Sequence, residues 1–530
     1  MTTHAAELLA LEAEVLALVD AAKAYEHIDR TLQLSNKREG RPRVLNSRAL
    51  LVGLHIASIN GKYFIQEVPL ILNGLSALTK RNLGIYGHTI TWRQVQYLIS
   101  RIDSSLRPRI TNTSLDDAAR YADFDAIFSV IATSGCHEAA KDSLSVAIDG
   151  SDIATWARIQ WEHRNIDGYE TPVKKITDVD AGVRPSKNED NKKPFFGYEL
   201  TLATAVADLD GPAVPKAAKA ARFRPTSKAD PRKVALSALS EVKERQGELG
   251  DVLVDRGYTS SNDGQAFIVP VRRLGGEPVF DLRDNQVGTS KTVHGAIIID
   301  GRPYSPSIPK KLRNLEPPRS KGTKFYRPSP SSIAAYEKQI AAREVYAMVP
   351  HGKISDDLRL VMQCPGAAGK LSCPLQAPKV TPRPGILPIN TNPKTVLAHS
   401  VCATRYKTFD LDTDIPLYQR EVYGSEAWRK SYGRRGTGVE PHFGALKDES
   451  VAGFNRGKVR MRGIVKTGLM VAVAVATTNR RFAIAWDRLR GPFPKVSKRK
   501  LVKRKRYHHA LTSITHTVNG QLVVLHPLTT

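Results

Sequence analysis

In the middle of the chain, short runs of β-forming residues alternate with a helical segment, and this alternation restricts the possible folds more than any other feature. The runs Leu144–Asp149, Glu199–Ala207 and Asp251–Asp255 are apolar and rich in strand-forming residues. Asp230-Pro231, between the second and third runs, is typical of a helix N-cap and first helical position. Strands separated by helices predict a mixed or parallel α/β sheet.

The N-terminal part has a different character. Residues 1–135 carry apolar side chains at helical spacing, so we expect a helical domain there. Within it, Thr91 is a good N-cap for a helix that leaves Arg93 and Gln94 outside. A short turn followed by such a helix favours a helix-turn-helix unit that reads the major groove of DNA. An ordinary amphipathic core helix is the alternative.

The region after Asp255 changes character twice. Ala266–Val271 is a further short strand candidate, and Val293–Pro303 has the pattern of a hairpin arm. Pro-rich basic stretches follow, on either side of a helical piece at Ser332–Glu344. Closer to the C-terminus, Gly468–Thr478 is rich in Ala and Val, which predicts a deeply buried helix.

Charge indicates the kind of partner. The formal net charge is +27, and an excess this large favours nucleic acid or an anionic membrane surface. The longest apolar run, Leu469–Ala476, is far short of the ~20 residues that span a bilayer. We therefore expect DNA as the partner and no membrane association, with the basic tail at 491–530 adding phosphate contacts. Four cysteines in 530 residues do not suggest a disulfide framework, so a reducing cytoplasm is expected.

Three acidic residues stand out by position. Asp149 and Asp255 each end a strand-like run and precede a turn, and Glu440 lies near the C-terminus between arginines and a lysine. Ligands of α/β sheets bind at the carboxyl ends of strands. Three converging carboxylates suit hard cations such as Mg²⁺, and two such ions can stabilise both oxygens of a phosphodiester displacement. Asp152, past its strand, and Asp251, at the start of its strand, are the alternative acids.

Four short motifs carry a resemblance to a known family. These are Val-Ala-Ile-Asp149-Gly, Phe-Gly-Tyr198-Glu-Leu-Thr, Val-Leu-Val-Asp255-Arg-Gly-Tyr and Glu440-Pro-His-Phe-Gly-Ala-Leu-Lys447. Over roughly residues 140–480 the chain resembles bacterial insertion-sequence DDE transposases. Members of this family cut DNA at transposon ends and join the freed 3′ hydroxyl to target DNA, using two Mg²⁺ or Mn²⁺ ions. Such a protein would work in the bacterial cytoplasm at the nucleoid, as a homodimer on DNA.

The resemblance also implies a division of the chain. A ribonuclease H-like core, a mixed sheet flanked by helices, would comprise residues 136–274 and 431–490. A β-rich and loop-rich insertion would occupy residues 275–430, between the second aspartate and the glutamate. The helical domain at 1–135 would bind transposon ends, and residues 491–530 would form the basic tail.

The family's functional residues can be transferred to matching positions. The metal ligands would be Asp149, Asp255 and Glu440. Residues expected to contact DNA near the scissile phosphate, or beside the acids, are Tyr432, Arg435, Lys447 and Arg256. Four residues separate Arg435 from Glu440, where the family usually has three, and Arg434 fits no better.

Local sequence predicts how Glu440 is presented. Gly436 and Gly438 disfavour a helix before the acid, and Pro441 is suited to a first helical turn, so we expect a helix that begins near Glu440. Lys447 follows seven residues later and would share a face of that helix with Glu440.

Other interpretations remain open at this stage. A structural Zn²⁺ could be held by Cys364, Cys373 and Cys402 with His399 or His351, although no Cys-x2-Cys pair is present. For the function, one alternative is a ribonuclease H-like nuclease that does not join strands. The other is a catalytically inactive, domesticated DNA-binding protein.

Overall fold

The computed structural model describes most of the chain. The described residues are 3–34, 44–108, 117–166, 169–185, 194–259, 264–318, 328–373, 375, 401–490, 514–518 and 521–525. The helices are α1 Thr3–Ala22, α2 Ala24–Leu34, α3 Ser47–Ile59, α4 Glu67–Gly74, α5 Ala77–Asn82, α6 Trp92–Leu106, α7 Asp117–Thr133, α8 Glu138–Lys141, α9 Pro231–Gln246, α10 Ile268–Arg273, α11 Pro330–Glu344, α12 Glu426–Gly433, α13 Arg435–Lys447 and α14 Ile464–Arg490. The strands are β1 Val146–Ala154, β2 Ile159–Ile166, β3 Tyr169–Ile176, β4 Gly182–Arg184, β5 Phe195–Ala205, β6 Ala218–Pro225, β7 Asp251–Val254, β8 Glu277–Phe280, β9 Thr289–Val293, β10 Ala296–Ile299, β11 Arg302–Tyr304, β12 Val349–Pro350, β13 Arg359–Gln363, β14 Tyr406–Asp410, β15 Ile514–Val518 and β16 Gln521–Leu525.

A mixed six-stranded sheet lies at the centre of the fold. Its path is β4-β5-β1-β7-β8, and β6 pairs with β5 on the same edge as β4. Strand β1 is antiparallel to β5 and parallel to β7, and β7 is parallel to β8. Helix α10 connects the parallel strands β7 and β8, because parallel neighbours need a crossover. The prediction of a mixed α/β sheet packed against helices is therefore confirmed. Strand β8 lies past residue 274, the expected core boundary.

The two faces of this sheet pack against different helices. Ala147 and Leu253 belong to the large apolar core that also contains residues of α7, α13 and α14. Val146, Ile148 and Val252 belong to a second core, shared with α9 and α10. Successive residues of a strand point to opposite faces. Whether a residue of β1 or β7 has an odd or an even number therefore decides which helices its side chain contacts.

Helix α14 joins the N-terminal helices to the sheet. Its residues from Ile464 to Arg480 are buried apart from Lys466, and it lies against α3, α6, α7 and β6. Small residues allow this close packing: a Cβ added to Gly468 would lie 2.7 Å from the ring of Phe124. The predicted buried helix at Gly468–Thr478 is confirmed. None of the helices in the described part of the chain has the length and apolar character needed to cross a bilayer.

The segment between β8 and α12 forms a separate group of elements. Two three-stranded antiparallel sheets, β9–β11 and β12–β14, accompany α11. The predicted hairpin is confirmed, with His294 and Gly295 at positive φ in its two-residue turn. This segment starts and ends at one place, which we term the insertion neck: Phe280 N donates to Gln419 Oε1 at 3.0 Å, and Tyr423 Oη donates to Asp281 Oδ1 at 2.6 Å.

The prediction of a strand at Ala266–Val271 is wrong, because residues from Ile268 onwards form helix α10. A short apolar run fits a buried helix as well as a strand. Pro270 stands in the first turn, where its missing N–H leaves no hydrogen bond unmade. The helix is fixed by Arg272 at its end, whose guanidinium donates to the carbonyls of Pro416 and Tyr418.

Candidate active site

Strands β1 and β7 place Asp149 and Asp255 side by side. Ala147 pairs with Leu253 in the parallel ladder. Asp255 directly follows β7, and its charge acts on the Asp149 carboxyl, so the two acids are neighbours. Asp149 lies two residues along β1 from Ala147 and therefore on the same sheet face as Ala147. That face is the one covered by α13 and α14, since Ala147 and Leu253 point into that core. Asp255 lies at the carboxyl end of β7, as the sequence predicts. Strand β1 continues to Ala154, however, so the predictions that a strand ends at Asp149 and that Asp152 lies past it are wrong. The strand continues because its residues stay paired with β5 up to Ala154 and Gly197.

Helix α13 crosses this face and carries Glu440. It begins at Arg435, so the prediction of a helix that begins near Glu440 is wrong. The helix continues through Pro441 because its first half is held against the sheet: Val439 is fully buried, and Gly438 faces Thr204 and Ala147 at close range. The proline removes one backbone hydrogen bond without breaking the helix.

The guanidinium of Arg435 joins two of the three acids. Its Nη2 donates to Asp149 Oδ2 at 2.5 Å, and its Nη1 donates to Glu440 Oε1 at 3.1 Å. The Arg435 side chain is only 13% exposed, whereas that of Glu440 is 63% exposed. Acids that are 291 positions apart in sequence (440 − 149) thus lie on either side of one guanidinium.

The electrostatics of this cluster are dominated by burial and by like charges. Burial raises the pKa of the Asp149 carboxyl, and the neighbouring charges of Asp255 and Glu440 raise it further, while Arg435 opposes them. The pKa of Tyr258 is raised well above its ordinary value by burial and by the charges of the same two aspartates and of Glu199. Several acids therefore concentrate negative charge here, which favours a cation.

The donor set fits Mg²⁺ or Mn²⁺ only in part. Asp149 and Asp255 supply the hard oxygen atoms that these ions prefer, and Mg²⁺ is usually held by one or two carboxylates together with water and phosphate. However, the described residues contain no group of three or more His, Cys, Asp or Glu side chains placed to hold a metal ion. The reason at this site is Arg435, which lies between Asp149 and Glu440. Glu440 can join the aspartates on a metal only after Arg435 moves.

The two alternative acids are occupied elsewhere. Asp152 forms an ion pair with Arg184. Asp251 is buried and pairs with Arg434 and Arg420, which fixes the start of β7 to the segment before α13. Arg434, the neighbour of Arg435, thus contacts Asp251 rather than the three acids.

The expected DNA contacts divide into two groups. Near the acids, Lys447 Nζ donates to Ser151 Oγ at 2.7 Å, two residues beyond Asp149. Tyr432 stacks on Trp428 with ring centroids 5.0 Å apart, and burial raises its pKa to about 12. Arg256 is exposed and lies 3.8 Å from Asp284.

The second group is on α6, among the N-terminal helices. Arg93 is exposed at the start of this helix. Gln94 forms a capping box with Thr91, in which Gln94 Oε1 accepts from the Thr91 N–H at 2.8 Å. Its amide oxygen is thus committed to the helix terminus, and Arg93 is the more accessible of the two.

Sequence reasoning missed Glu199 as a neighbour of this site. On β5 it pairs with Asp152 of β1, and its carboxylate covers the Cα of Gly150, next to Asp149. A Cβ at position 150 would meet Glu199 Oε1, so a larger residue there would require the Glu199 carboxylate to move. Glu199 occurs within one of the motifs quoted for the resemblance, but the sequence does not show which strand faces it.

Among the residues that the structure describes, the cysteines are not grouped to hold a zinc ion. Cys364 is buried, and Cys402 packs against apolar residues of the segment between β8 and α12. The His351 ring centroid lies 4.6 Å from that of Tyr406. His399 lies outside the described residues, as do most residues of the basic tail.

Comparisons of this chain with protein families, with curated proteins and with solved structures found no match.

Proposed function

We propose that this chain is a DDE transposase, which cleaves transposon ends and joins the 3′ hydroxyl to target DNA by metal-dependent phosphoryl transfer. One observation carries the proposal: Arg435 contacts both Asp149 and Glu440, and Asp255, directly after the neighbouring strand β7, is close enough for its charge to act on Asp149. Acids predicted from separate motifs are thereby neighbours on one sheet face.

The fold supports the same proposal. A ribonuclease H-like core is expected to be a mixed sheet flanked by helices, and the central sheet has this character. The two small sheets and α11 lie in the chain between Asp255 and Glu440, where the resemblance implies an insertion. The net charge of +27 supports DNA as the substrate. That the protein acts as a homodimer in the bacterial cytoplasm rests on the family resemblance.

The residues of the site would act in a defined order. When bound, two Mg²⁺ or Mn²⁺ ions supply charge stabilisation to the attacking and leaving oxygens. Asp149 and Asp255 would provide the first binding oxygens. An incoming phosphate can replace a carboxylate as the partner of Arg435, because a guanidinium binds either group in the same fork geometry. Glu440, no longer paired with Arg435, would then be able to hold the ions together with the aspartates, and Lys447, near Ser151, is placed to contact the DNA backbone.

Substitution of the acids tests this proposal. Asp149→Ala, Asp255→Ala and Glu440→Ala should each reduce strand cleavage by about 10²–10⁴-fold, since each removes several kcal/mol of transition-state stabilisation. DNA affinity should stay within a few-fold of wild type. Glu449→Gln, an exposed acid just past α13, is the matched control and should retain activity. The substrate is DNA that carries the sequences flanking the coding region.

The outcomes separate the alternatives. Wild-type cleavage without joining of pre-cut 3′-hydroxyl ends would identify a nuclease that lacks strand transfer. DNA binding without cleavage at any Mg²⁺ or Mn²⁺ concentration would identify an inactive DNA-binding protein. Normal cleavage by one of the three alanine variants would remove that residue from the site.

A further inference from the structure

A short basic segment follows the helix that carries Glu440. Residues 453–466 contain five Lys or Arg residues and no Asp or Glu. In this segment, termed the basic loop, Val459 and Met461 are buried while Arg460 and Arg462 point outwards. This alternation directs the apolar side chains into the core and leaves positive charge at the surface. The transposase-like motifs do not include this loop.

The basic loop is fixed to the end of strand β1. Arg456 Nε donates to the Thr155 carbonyl at 2.8 Å, and its Nη2 donates to the carbonyls of Trp156 and Ala157 at 3.1 and 3.2 Å. The loop therefore has a defined position relative to Asp149, which lies on the same strand. Seven residues of extended chain from Asp149 to Trp156 span on the order of 20 Å.

Aromatic rings lie next to these cations. The Arg460 guanidinium is 5.1 Å from the ring centroid of Trp156 and 5.2 Å from that of Phe64. Trp156 is 36% exposed, and Trp92 at the start of α6 is 43% exposed. Both tryptophan side chains are therefore accessible to a ligand at this surface.

Two adjoining cavities of about 340 and 420 Å³ open at this place. They share Ile65, Arg460 and Met461, and no Asp or Glu is among the described residues that line them. The first is also lined by Trp156, and the second by Trp92. Of the cations along the first cavity, Lys466 is partly neutralised by Asp103 at 3.5 Å, whereas Arg460 and Arg462 form no ion pair with the acids that the structure describes.

We propose that this surface binds a DNA strand and stacks an unpaired base on Trp156 and Arg460. The basic loop supplies contacts to phosphate, and the tryptophan and guanidinium planes supply stacking, which is the combination that single-stranded nucleic acid requires. The identity of the ligand as DNA rests on the proposed function, but the binding does not require chemistry at the acids. Because β1 ends at Ala154 and Trp156 lies in a bend, the extended-chain length is an upper limit. At about 3.4 Å per nucleotide, the stacked base would lie at most about six nucleotides from a phosphate bound beside Asp149.

The test measures affinity in EDTA, so that no catalysis contributes. Fluorescein-labelled duplexes of equal length are compared by anisotropy, one continuous and one with a single-stranded gap of a few nucleotides. Trp156→Ala and Arg460→Ala should each weaken binding to the gapped duplex by about 5- to 150-fold, the range for loss of one stacked base. Binding to the continuous duplex should change much less.

A matched control is available on α14, where Arg490 lies 3.7 Å over the ring of Trp486, outside both cavities. Trp486→Ala should leave the gapped-duplex affinity unchanged. The Arg460 variant controls for misfolding of the Trp156 variant, because Arg460 is exposed and its removal should leave the chain folded. The melting temperatures of both variants should equal that of the wild type. Equal losses on both duplexes, no loss in either variant, or no binding of DNA by the wild type would overturn the inference. If the wild type cleaves DNA but Trp156→Ala binds the gapped duplex as tightly as the wild type does, the inference about this surface is refuted and the proposed function stands.

Discussion

The close approach of α13 to the sheet predicts opposite effects for the same substitution at two glycines of one helix. Gly438→Ala should destabilise the protein and displace Glu440, which follows two residues later. Gly444→Ala should do neither, because an added Cβ there meets no atom within 4 Å. The comparison removes the general effect of replacing glycine by alanine.

The magnitude follows from the neighbours of Gly438. An added Cβ would lie 2.7 Å from Thr204 Oγ1, 2.8 Å from Val206 Cγ1 and 3.3 Å from Ala147 Cβ. Two of these distances fall roughly 1 Å short of the usual contact distance, and overpacking of this kind costs about 1–3 kcal/mol. Alanine regains up to about 1 kcal/mol as a better helix former. Gly438→Ala should therefore lower the free energy of unfolding by about 0–2 kcal/mol, while Gly444→Ala should raise it by up to about 1 kcal/mol.

Two assays check this. Urea unfolding gives the stability of both variants, and the difference between them should be about 1–3 kcal/mol. Metal-dependent cleavage gives the position of Glu440, because a displacement of about 1 Å can cost roughly 10²-fold in rate. Gly438→Ala should lose activity at temperatures where it is still folded, and Gly444→Ala should keep it. Equal stability of the two variants would refute the packing of α13 on β1 and β5.

Two further predictions concern buried ionisable groups. Burial lowers the pKa of both His55 and His442 to about 4, so both imidazoles are neutral in the folded protein above that pH. In the unfolded chain their pKa is about 6.5, so the unfolded state binds protons at a higher pH than the folded state does. The free energy of unfolding should then fall as the pH drops from about 6.5 towards 4, with each histidine contributing about 2 kcal/mol at pH 5. In His442→Gln, which can still bond Asn479, the loss between pH 7 and pH 5 should be about 2 kcal/mol smaller than in the wild type, and an unchanged loss would contradict the assignment. In the insertion, Arg343→Leu should cost about 3–5 kcal/mol because it leaves the Asp300 carboxylate buried and unpaired. Addition of Asp300→Asn to that variant should recover much of the loss in a thermal melt, and no recovery would contradict the charge argument.

The parts of the fold that were predictable from sequence are those with a local cause. The apolar residues before Asp149 and Asp255 form strands, although β1 runs on past Asp149 to Ala154, and Asp230 caps a helix, because β-propensity, capping and proline geometry act over a few residues. The run Ala266–Val271 failed because its length and composition fit two structures, and contacts with residues about 150 positions later decide between them.

The same distinction applies to the site. That Asp149 and Asp255 are neighbours follows from their places after apolar runs that form adjacent parallel strands, although only Asp255 stands at a strand end. The start of α13 at Arg435 does not follow from the sequence, because two glycines and a proline disfavour a helix there. Only packing on the sheet overcomes their effect. The position of Glu199 and of the basic loop depends on strand pairing and on contacts across the whole chain.

The insertion neck affects how this protein can change over generations. The chain leaves the sheet at Phe280 and Asp281 and returns to the same place at Gln419 and Tyr423, so the elements between them hang from one fixed point. For a segment whose two ends are held together, each doubling of its length costs only about 0.6 kcal/mol of loop-closure entropy. Whole sheets could therefore be gained, lost or exchanged beyond this point while the three acids and Arg435 keep their positions. Relatives with the same acids and very different sizes are the expected result.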